Sequence, residues 1–367
     1  MTGKPTSAHP QPPATPDASR HPFAEAVETW YGRHGRRLPW RDTDDPYRIW
    51  ISEIILQQTR VAQGYDYYVR FLRRFPDVFS LAAASEDEVL AAWQGLGYYS
   101  RARNLHAAAR SIAAAGAFPT TYEGVRALRG VGPYTAAAIC SFAYGLPHAV
   151  VDGNVYRVLA RHFGLATPID STAGRREFAE LAETLLDRSA PALYNQAVMD
   201  FGALQCTPQS PDCAACPLNG SCTARQQGSV ETLPVREKRT AVRDRFFVYL
   251  YLLMPDGGLL LRRRPAGDIW QGLYEPLLLE FPTMPTETDV MNHTAWTTLG
   301  PVRSVTQVVQ GRLHVLTHRR LHMDGYLVRL GTDVALPGFV SVDAGARDMY
   351  AVPRLVELFF EAVDAYI

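Results

Sequence analysis

The sequence predicts a mainly α-helical N-terminal part followed by a smaller mixed α/β domain. Three observations predict this arrangement. Residues 23–225 are rich in alanine, and their apolar residues recur at helical spacings of three and four, with breaks at glycine and proline. Beyond residue 245, β-branched and aromatic runs replace that pattern. Four of the five cysteines lie within residues 206–222, so the helical part ends in a loop suited to binding metal.

Two polar segments divide the chain into four regions. Residues 1–22 are rich in Pro, Ala, Thr and Ser without apolar periodicity, so we expect a disordered tail. Residues 23–225 form the helical domain. Residues 226–245 are polar and weakly basic, which predicts an exposed interdomain linker. Residues 246–367 form the smaller domain.

Local signals place several helix ends. Ser85 and Glu88 have the spacing of a capping box ahead of an apolar run, and Gly116 follows an alanine-rich stretch. The C-terminal segment 353–367 is predicted to be helical, with Pro353 in its first turn.

A β-hairpin is predicted at the start of the smaller domain. Residues 246–254 form a β-branched and aromatic run, residues 256–258 (Asp-Gly-Gly) form a turn, and residues 259–261 resume an apolar strand.

Composition limits the classes of function only weakly. Lys plus Arg and Asp plus Glu both total 37, so the net charge gives no sign of a polyanionic partner. Only Lys4 and Lys238 are lysines. No apolar run approaches the roughly 20 residues that span a bilayer, and no secretion signal opens the sequence. We therefore expect no membrane association and a cytoplasmic location with the nucleoid. We also expect a monomer.

The cysteine cluster has the spacing C-x6-C-x2-C-x5-C, formed by Cys206, Cys213, Cys216 and Cys222. Four thiolates hold either zinc or an iron-sulfur cluster. A zinc ribbon usually has two C-x2-C pairs, whereas this segment has one, so the spacing favours iron-sulfur. With either metal, the role could be purely structural.

The segment LRGVGPYTAAAI, residues 128–139, predicts a tight hairpin that opens a helix. Gly130 and Gly132 flank Val131, and Pro133 stands where the helix would begin. Backbone N–H groups at such a helix start can bind a DNA phosphate without base specificity. Most lone G-x-G pairs only mark turns, but this longer pattern is more specific.

Two carboxylates are candidates for catalysis. Asp152 lies between an apolar run and Gly153, at a position where it could line a cleft with Asn154 beside it. Taken alone, an aspartate at this position is more typical of a helix N-cap, but the hairpin just upstream favours catalysis. Glu53 interrupts an apolar helix face, where burial would raise its pKa and keep it protonated as a general acid. The alternative for Glu53 is a solvent-facing position.

The motifs in this order resemble the MutY family of the endonuclease III superfamily. The resemblance rests on PWR (39–41), SEIILQQT (52–59), WQGLGYYSRARNL (93–105), LRGVGPYT, VDGNVYRV and the four-cysteine loop. It implies a helix-hairpin-helix glycosylase with a six-helix barrel and a 4Fe-4S cluster domain. The implied partner is duplex DNA containing adenine opposite 8-oxoguanine or guanine.

Site residues are carried over from that resemblance. Glu53 would protonate adenine, Asp152 would stabilise or capture the sugar cation, and Asn154 and Tyr134 would position them. The positions that match the adenine pocket are Trp40, Arg41 and Leu56. The positions that match those entering the duplex and reading 8-oxoguanine are Gln58, Thr59, Leu96 and Tyr98. An aromatic such as Tyr98 is more often a core residue, but the glycines beside it and Arg101 favour exposure.

The resemblance also implies base excision without strand cleavage. Relatives that cleave the strand use a hairpin-helix lysine, and here that position is Tyr134, in a chain with no lysine between residues 5 and 237.

The C-terminal part resembles the Nudix-like domain of MutY proteins. It lacks the carboxylate-rich helix of Nudix hydrolases, so we expect a recognition module and not a hydrolase. The resemblance implies that Thr317 and His318 read 8-oxoguanine. The family's F-S-H loop is Leu316-Thr317-His318 here, so the aromatic is missing, and His318 could simply be solvated.

Two other interpretations remain. One is an endonuclease III-type glycosylase for pyrimidine lesions, against which Tyr134 and the absent lysines argue. The other is a DNA-binding iron-sulfur protein without catalysis, against which the presence of both Glu53 and Asp152 argues.

Overall fold

The computed structural model describes residues 20–237 and 241–367. Residues 1–19, most of the predicted tail, therefore lie outside the described residues, as do residues 238–240 of the predicted linker. The remainder of the tail is ordered around Arg20, whose guanidinium pairs with Glu28 at 2.9 Å and Asp187 at 2.6 Å.

Helices make up most of the chain before residue 227. The α-helices of the described residues are α1 (Pro22–His34), α2 (Pro46–Leu56), α3 (Val61–Arg74), α4 (Val78–Ala83), α5 (Glu86–Ala92), α6 (Ser100–Ala115), α7 (Tyr122–Arg126), α8 (Pro133–Tyr144), α9 (Gly153–Phe163), α10 (Thr172–Leu185), α11 (Pro191–Asp200), α12 (Thr223–Gln226), α13 (Glu287–Met291) and α14 (Arg354–Asp364). A short π-helix, Phe201–Gln205, follows α11 directly. No helix of the described residues is both long and apolar enough to cross a membrane.

Two of the three predicted helix ends are confirmed. Ser85 and Glu88 form a complete capping box at the start of α5. Gly116 ends α6 with φ of 80°, a left-handed conformation that glycine adopts without steric cost. Pro353 is the N-cap of α14, one residue earlier than the predicted first turn.

The strands form one mixed sheet. They are β1 (Arg243–Leu253), β2 (Leu259–Arg263), β3 (Tyr274–Glu275), β4 (Leu277–Phe281), β5 (Val302–Val315), β6 (Arg319–Leu330) and β7 (Phe339–Val342). The order is β3-β2-β1-β6-β5, with β4 also pairing β1 and β7 pairing β2. The predicted hairpin is confirmed, because β1 and β2 are antiparallel with Leu253 opposite Leu259. Strands β1 and β6 run parallel.

Strand β1 is buried on both faces of the sheet, which explains its unbroken apolar run. One face packs Phe247, Tyr249 and Tyr251 against α14. The other face packs alternate residues of β1 into a second apolar cluster. In β6, Gly325 allows α14 to pack closely, because a Cβ at that position would lie 2.5 Å from the ring of Phe359.

The described residues form two compact units. The first combines residues 20–54 with 117–237, and its core includes Phe23, Trp30 and Phe178. The second combines residues 55–116 with 241–367 and contains the sheet together with α3 to α6.

The predicted linker is only partly exposed. Leu233 is buried, and the backbone N–H of Ile169 donates to the carbonyl of Val235 at 3.1 Å. Leu233 and Val235 therefore attach this segment to the first unit, although its composition is mostly polar. Strand β1 then begins at Arg243.

Candidate active site, iron-sulfur site and nucleic-acid interface

Glu53 lies on α2 and is 7% exposed, so the buried interpretation is confirmed. The Tyr134 hydroxyl, from α8, donates to Glu53 Oε2 at 2.8 Å. Burial, with a smaller effect from the negative charge of Asp152, raises the pKa of Glu53 to about 7 against the opposing effects of Tyr134 and Arg41. Glu53 can therefore hold a proton near neutral pH and release it to a bound group.

Asp152 is the N-cap of α9. Its Oδ1 accepts hydrogen bonds from the backbone N–H groups of Asn154 at 2.9 Å and Val155 at 2.8 Å, and its Oδ2 accepts from Asn154 Nδ2 at 2.8 Å. Burial raises the pKa of Asp152, and these hydrogen bonds oppose the rise. The capping interpretation is thus confirmed, and it is compatible with catalysis because the cap fixes the carboxylate near Tyr134, whose pKa its charge raises.

Arg157 connects Asn154 to the cysteine segment, a link that sequence reasoning missed. Its Nη2 donates to Asn154 Oδ1 at 2.8 Å and to the carbonyl of Gly202 at 2.6 Å, and its Nε donates to the carbonyl of Cys206 at 2.8 Å. Gly202 is required here, because a Cβ would lie 2.7 Å from Asn154 Cβ. The only sequence signal was an arginine three positions after Asn154, on the same helix face.

Arg41 is held by a partner that the sequence did not reveal. Its Nη1 and Nη2 donate to the two carboxylate oxygens of Asp200 at 2.7 and 2.9 Å, and Arg36 binds the same carboxylate. These arginines hold the pKa of Asp200 at about 2 against the effect of burial. The guanidinium of Arg41 is therefore engaged by Asp200, and its charge lowers the pKa of Glu53. Of the other two predicted pocket residues, Trp40 is buried and Leu56 is half-buried at the end of α2.

The predicted hairpin is present between α7 and α8. Gly130 has φ of 81°, and Gly132 is the N-cap of α8 without a side-chain cap, followed by Pro133 at the first helical position. The side chain of Arg126 fixes the loop by donating to the carbonyl of Val131 at 2.6 Å. Nothing lies within 4 Å of the point where a Cβ of Gly132 would be. The helix start can therefore be approached closely by an anion.

The four clustered cysteines line one cavity. They are Cys206, Cys213, Cys216 and Cys222. Arg161 contributes to the cavity wall, donates to Cys206 Sγ at 3.5 Å and donates to the carbonyl of Thr207 at 2.7 Å. Among residues 20–237 and 241–367, no three Cys, His, Asp or Glu side chains form a group that could hold a single metal ion. The set of four sulfur donors suits an iron-sulfur cluster. Burial raises the pKa of Cys206, and the hydrogen bond and charge of Arg161 oppose that rise.

The predicted duplex-reading residues lie in the second unit. Gln58 and Tyr98 are exposed and have φ of 57° and 47°, which is rare for residues with a side chain. Thr59 is half-buried. Leu96 is 8% exposed, so in this structure Tyr98 and not Leu96 is presented at the surface.

The two residues proposed from the C-terminal domain lie in a turn. Thr317 and His318 are exposed between β5 and β6, so His318 is not on a strand as its alternative interpretation supposed. Thr317 Oγ1 lies 2.7 Å from the hydroxyl oxygen of Tyr98. The structure thus brings together two residues that the sequence analysis had assigned to reading the same base.

Three family models match the chain. The model of the HhH-GPD superfamily base excision DNA repair proteins matches residues 51–184. The model of the iron-sulfur binding domain of endonuclease III matches residues 206–225. The NUDIX domain model matches residues 248–362. These matches confirm the predicted helical fold with a C-terminal Nudix-like domain. The match to the iron-sulfur binding domain confirms a 4Fe-4S cluster as the cofactor of proteins of this kind.

Curated relatives bear the name adenine DNA glycosylase. The relative from Buchnera aphidicola subsp. Schizaphis graminum is 30% identical over 316 residues, which cover 84% of this chain and 88% of the relative. The relative from Homo sapiens is 42% identical over 222 residues, covering 58% of this chain and 41% of the relative. The chain thus spans about two fifths of the human relative's length.

A solved structure supports the helical fold. A thermostable thymine-DNA glycosylase matches with a TM-score of 0.53 and 30% identity, covering 56% of this chain and 95% of that protein. A second Buchnera relative, from subsp. Baizongia pistaciae, is 32% identical and covers 69% of this chain and 72% of the relative. Because these two Buchnera relatives are 30% and 32% identical to the chain, and the matches cover 88% and 72% of their lengths, the chain belongs to the adenine DNA glycosylase (MutY) family.

Proposed function

We propose that this chain is a monofunctional adenine DNA glycosylase that removes adenine opposite 8-oxoguanine or guanine in duplex DNA. The observation that carries the proposal is the pair of carboxyl groups around Tyr134: Glu53, which is buried and has a pKa of about 7, and Asp152, which is half-buried at the start of α9. Glycoside hydrolysis uses two carboxyl groups, one that donates a proton and one that stabilises the positive charge on the sugar.

Glu53 acts as the general acid. It donates its proton to a ring nitrogen of the extruded adenine, and the N-glycosidic bond breaks with its electron pair leaving on the base. The hydrogen bond from Tyr134 to Glu53 Oε2 orients the carboxyl group. Water then adds to the sugar carbon and returns a proton to Glu53, which restores the starting state.

Asp152 stabilises the positive charge that develops on the sugar, or captures the sugar covalently until water replaces it. Asn154 holds Asp152 Oδ2 through its side-chain amide, and Arg157 in turn holds Asn154. This fixed carboxylate has no need to reorganise during the reaction, which is the main source of electrostatic catalysis.

Adenine must leave the base stack before it reaches these groups. We assign phosphate binding to the amides at the start of α8, near Gly130 and Gly132. We assign insertion into the duplex to Gln58 and Tyr98, which are exposed, with Thr59 and Leu96 as neighbouring contacts. Trp40, Arg41 and Leu56 are assigned to the adenine pocket, where Arg41 acts through the charge that Asp200 holds in place.

The iron-sulfur cluster is assigned a structural role. Cys206, Cys213, Cys216 and Cys222 would hold it, and its thiolate bonds would fix the segment 206–222. Arg157 donates to the carbonyl of Cys206, so an ordered cysteine segment supports the position of Asn154.

Two domains would divide the work. Residues 23–225 carry the chemistry, and residues 246–367 recognise 8-oxoguanine through Thr317 and His318, with residues 226–245 between them. The absence of lysine between residues 5 and 237 supports excision without strand cleavage. The substrate would be nucleoid DNA, bound by a monomer.

The test is single-turnover excision on duplexes containing A·8-oxoguanine, A·G or thymine glycol. Free adenine from the first two without strand nicking supports the proposal. Release from thymine glycol, with an adduct trapped by borohydride, would indicate the endonuclease III-type alternative. No release from any duplex would indicate a non-catalytic DNA-binding protein. In the same assay we expect Glu53→Gln to lose most of the excision rate, and Glu25→Gln, which changes an exposed carboxylate of α1, is its control.

A further inference from the structure

We propose that Arg101 is a positioning residue that holds the exposed residues Gln58 and Tyr98 as one duplex-reading element. This inference rests on the proposed function for its consequence, but its geometry is independent of that function. Arg101 lies in the first turn of α6, and its guanidinium reaches the two loops that carry these residues.

Each terminal nitrogen of the guanidinium donates hydrogen bonds to one of the two loops, one loop carrying Gln58 and the other Tyr98. Nη1 donates to the carbonyls of Ile55 at 3.1 Å and Gln57 at 2.5 Å, next to Gln58. Nη2 donates to the carbonyls of Leu96 at 3.2 Å and Gly97 at 3.1 Å, next to Tyr98. A planar fork with fixed spacing between its nitrogens can make these four bonds together, whereas a point charge cannot.

Aromatic rings hold the guanidinium itself in place. The ring centroids of Trp93 and Tyr98 lie 5.3 and 5.6 Å from Arg101 Cζ. Trp93 Nε1 also donates to the carbonyl of Gly97 at 3.2 Å, so that loop is fixed from two directions. A neighbouring position, Gly95, has φ of 89°, so any side chain there would strain the backbone.

The hydrogen bonds from Arg101 to the two loops, which we call the Arg101 clamp, are needed because of the backbone conformation of Gln58 and Tyr98. Gln58 and Tyr98 have φ of 57° and 47°, and residues with a side chain keep that conformation only when surrounding structure enforces it. Arg101 bonds carbonyls that directly precede both residues. Without these bonds each loop can relax to an ordinary conformation, and ordering both loops again would then weaken binding to DNA.

Two variants test the clamp, with a matched control. Arg101→Met removes all the donors, and Arg101→Lys retains the charge but can serve only one of the two loops. Arg110→Met removes an exposed arginine of the same helix and is the control. In DNA-free protein we expect faster hydrogen exchange of amides at 57–59 and 96–98 in Arg101→Met, at one of these loops in Arg101→Lys, and at neither in the control. Unchanged exchange in Arg101→Met would overturn the proposal, whether or not the protein releases adenine.

Binding to A·8-oxoguanine duplex tests the consequence. We expect Arg101→Met to raise Kd about tenfold or more, while the rate at saturating enzyme stays within about threefold. In a Gln58→Ala, Tyr98→Ala background, where the clamped side chains are gone, Arg101→Met should change Kd less than about twofold. An equal loss in both backgrounds would show that Arg101 acts on general stability or as a DNA contact, and would overturn the proposal. If Arg101→Met does not fold, Arg101→Lys is carried through the same cycle and decides.

Discussion

The hydroxyl oxygen of Tyr98 and Oγ1 of Thr317 lie 2.7 Å apart, although 219 positions separate the two residues. Tyr98 projects from the loop before α6, and Thr317 lies in the turn between β5 and β6. Both are exposed within the second compact unit. Each is proposed to read the base opposite adenine, so their hydrogen bond would bring the two contacts together before DNA arrives.

Removing either hydroxyl should weaken the preference for A·8-oxoguanine over A·G. We expect Tyr98→Phe and Thr317→Val each to lower the ratio of single-turnover rates by about threefold to tenfold, the value of one hydrogen bond. The double variant should lose no more than either single variant, because both remove the same bond. Thr297→Val, another exposed threonine, is the control. Losses that multiply in the double variant would show that the two hydroxyls act separately.

The rate of excision should fall on the alkaline side with the ionisation of Glu53. Burial raises the pKa of this group to about 7, and the acid form is the one that protonates adenine. Single-turnover kcat/KM should therefore fall about tenfold per pH unit above pH 7. Glu53→Gln cannot donate the proton, so its residual rate should show no such fall. A native profile that stays flat between pH 7 and 9 would remove Glu53 from the role of general acid.

The same ionisation of buried Glu53 should lower the stability of the folded chain at high pH. The pKa of Glu53 in the folded chain is raised above its unfolded value. The contribution of protonated Glu53 to the free energy of unfolding is therefore fully present below pH 4.5 and is lost as the pH rises through 7. Glu53→Gln has no charge to bury. Its melting temperature should therefore rise relative to that of the native chain between pH 4.5 and 7, and the gain should then level off.

Thermal melts at pH 5 and pH 8.5 measure this gain. Glu28 has a similarly raised pKa of about 7, but it contributes equally to both proteins and cancels in the difference. An equal difference at the two pH values would mean that Glu53 is not buried in ionised form at high pH.

Sequence reasoning located the carboxylates because their signals are local. Glu53 interrupts an apolar helix face, and Asp152 has an N-cap position beside Asn154. The residues that hold the site side chains in place could not be predicted from such local signals. Asp200 binds Arg41 although 159 positions separate them in the sequence, and Arg157 binds the carbonyl of Cys206 across a separation of 49 positions. An arginine that donates to backbone carbonyls leaves no pattern in the acceptor residues, because every residue has a carbonyl.

The fold shows the same limit. Periodicity predicted the helices and the first hairpin, since both depend on neighbouring residues. The parallel pairing of β1 with β6 joins residues more than 70 positions apart, such as Arg243 and Arg319, and depends on burial of both faces of β1. No local spacing indicates that partner.

Loss of one cluster ligand should disturb the segment 206–222 and leave the rest of the helical core folded. We expect Cys216→Ser to reduce the visible absorption of thiolate-to-iron charge transfer and the bound iron per chain. Cys140→Ser is the control, because Cys140 is buried in α8 and lies outside the cavity. Equal iron content in both variants would exclude Cys216 as a ligand, and zinc in place of iron in the native chain would identify the other metal.

Asp152 offers a way to separate a helix cap from a catalytic charge. In Asp152→Asn the side-chain oxygen can still accept hydrogen bonds from Asn154 N and Val155 N, and asparagine caps helices about as well as aspartate. The negative charge is gone, so the excision rate should fall about a hundredfold to a thousandfold while the melting temperature is maintained. Asp152→Ala also removes the cap and should cost about 1 kcal/mol of stability in addition. If Asp152→Asn releases adenine at the native rate and only Asp152→Ala is impaired, Asp152 is a structural cap, and the developing sugar charge must be stabilised by another group.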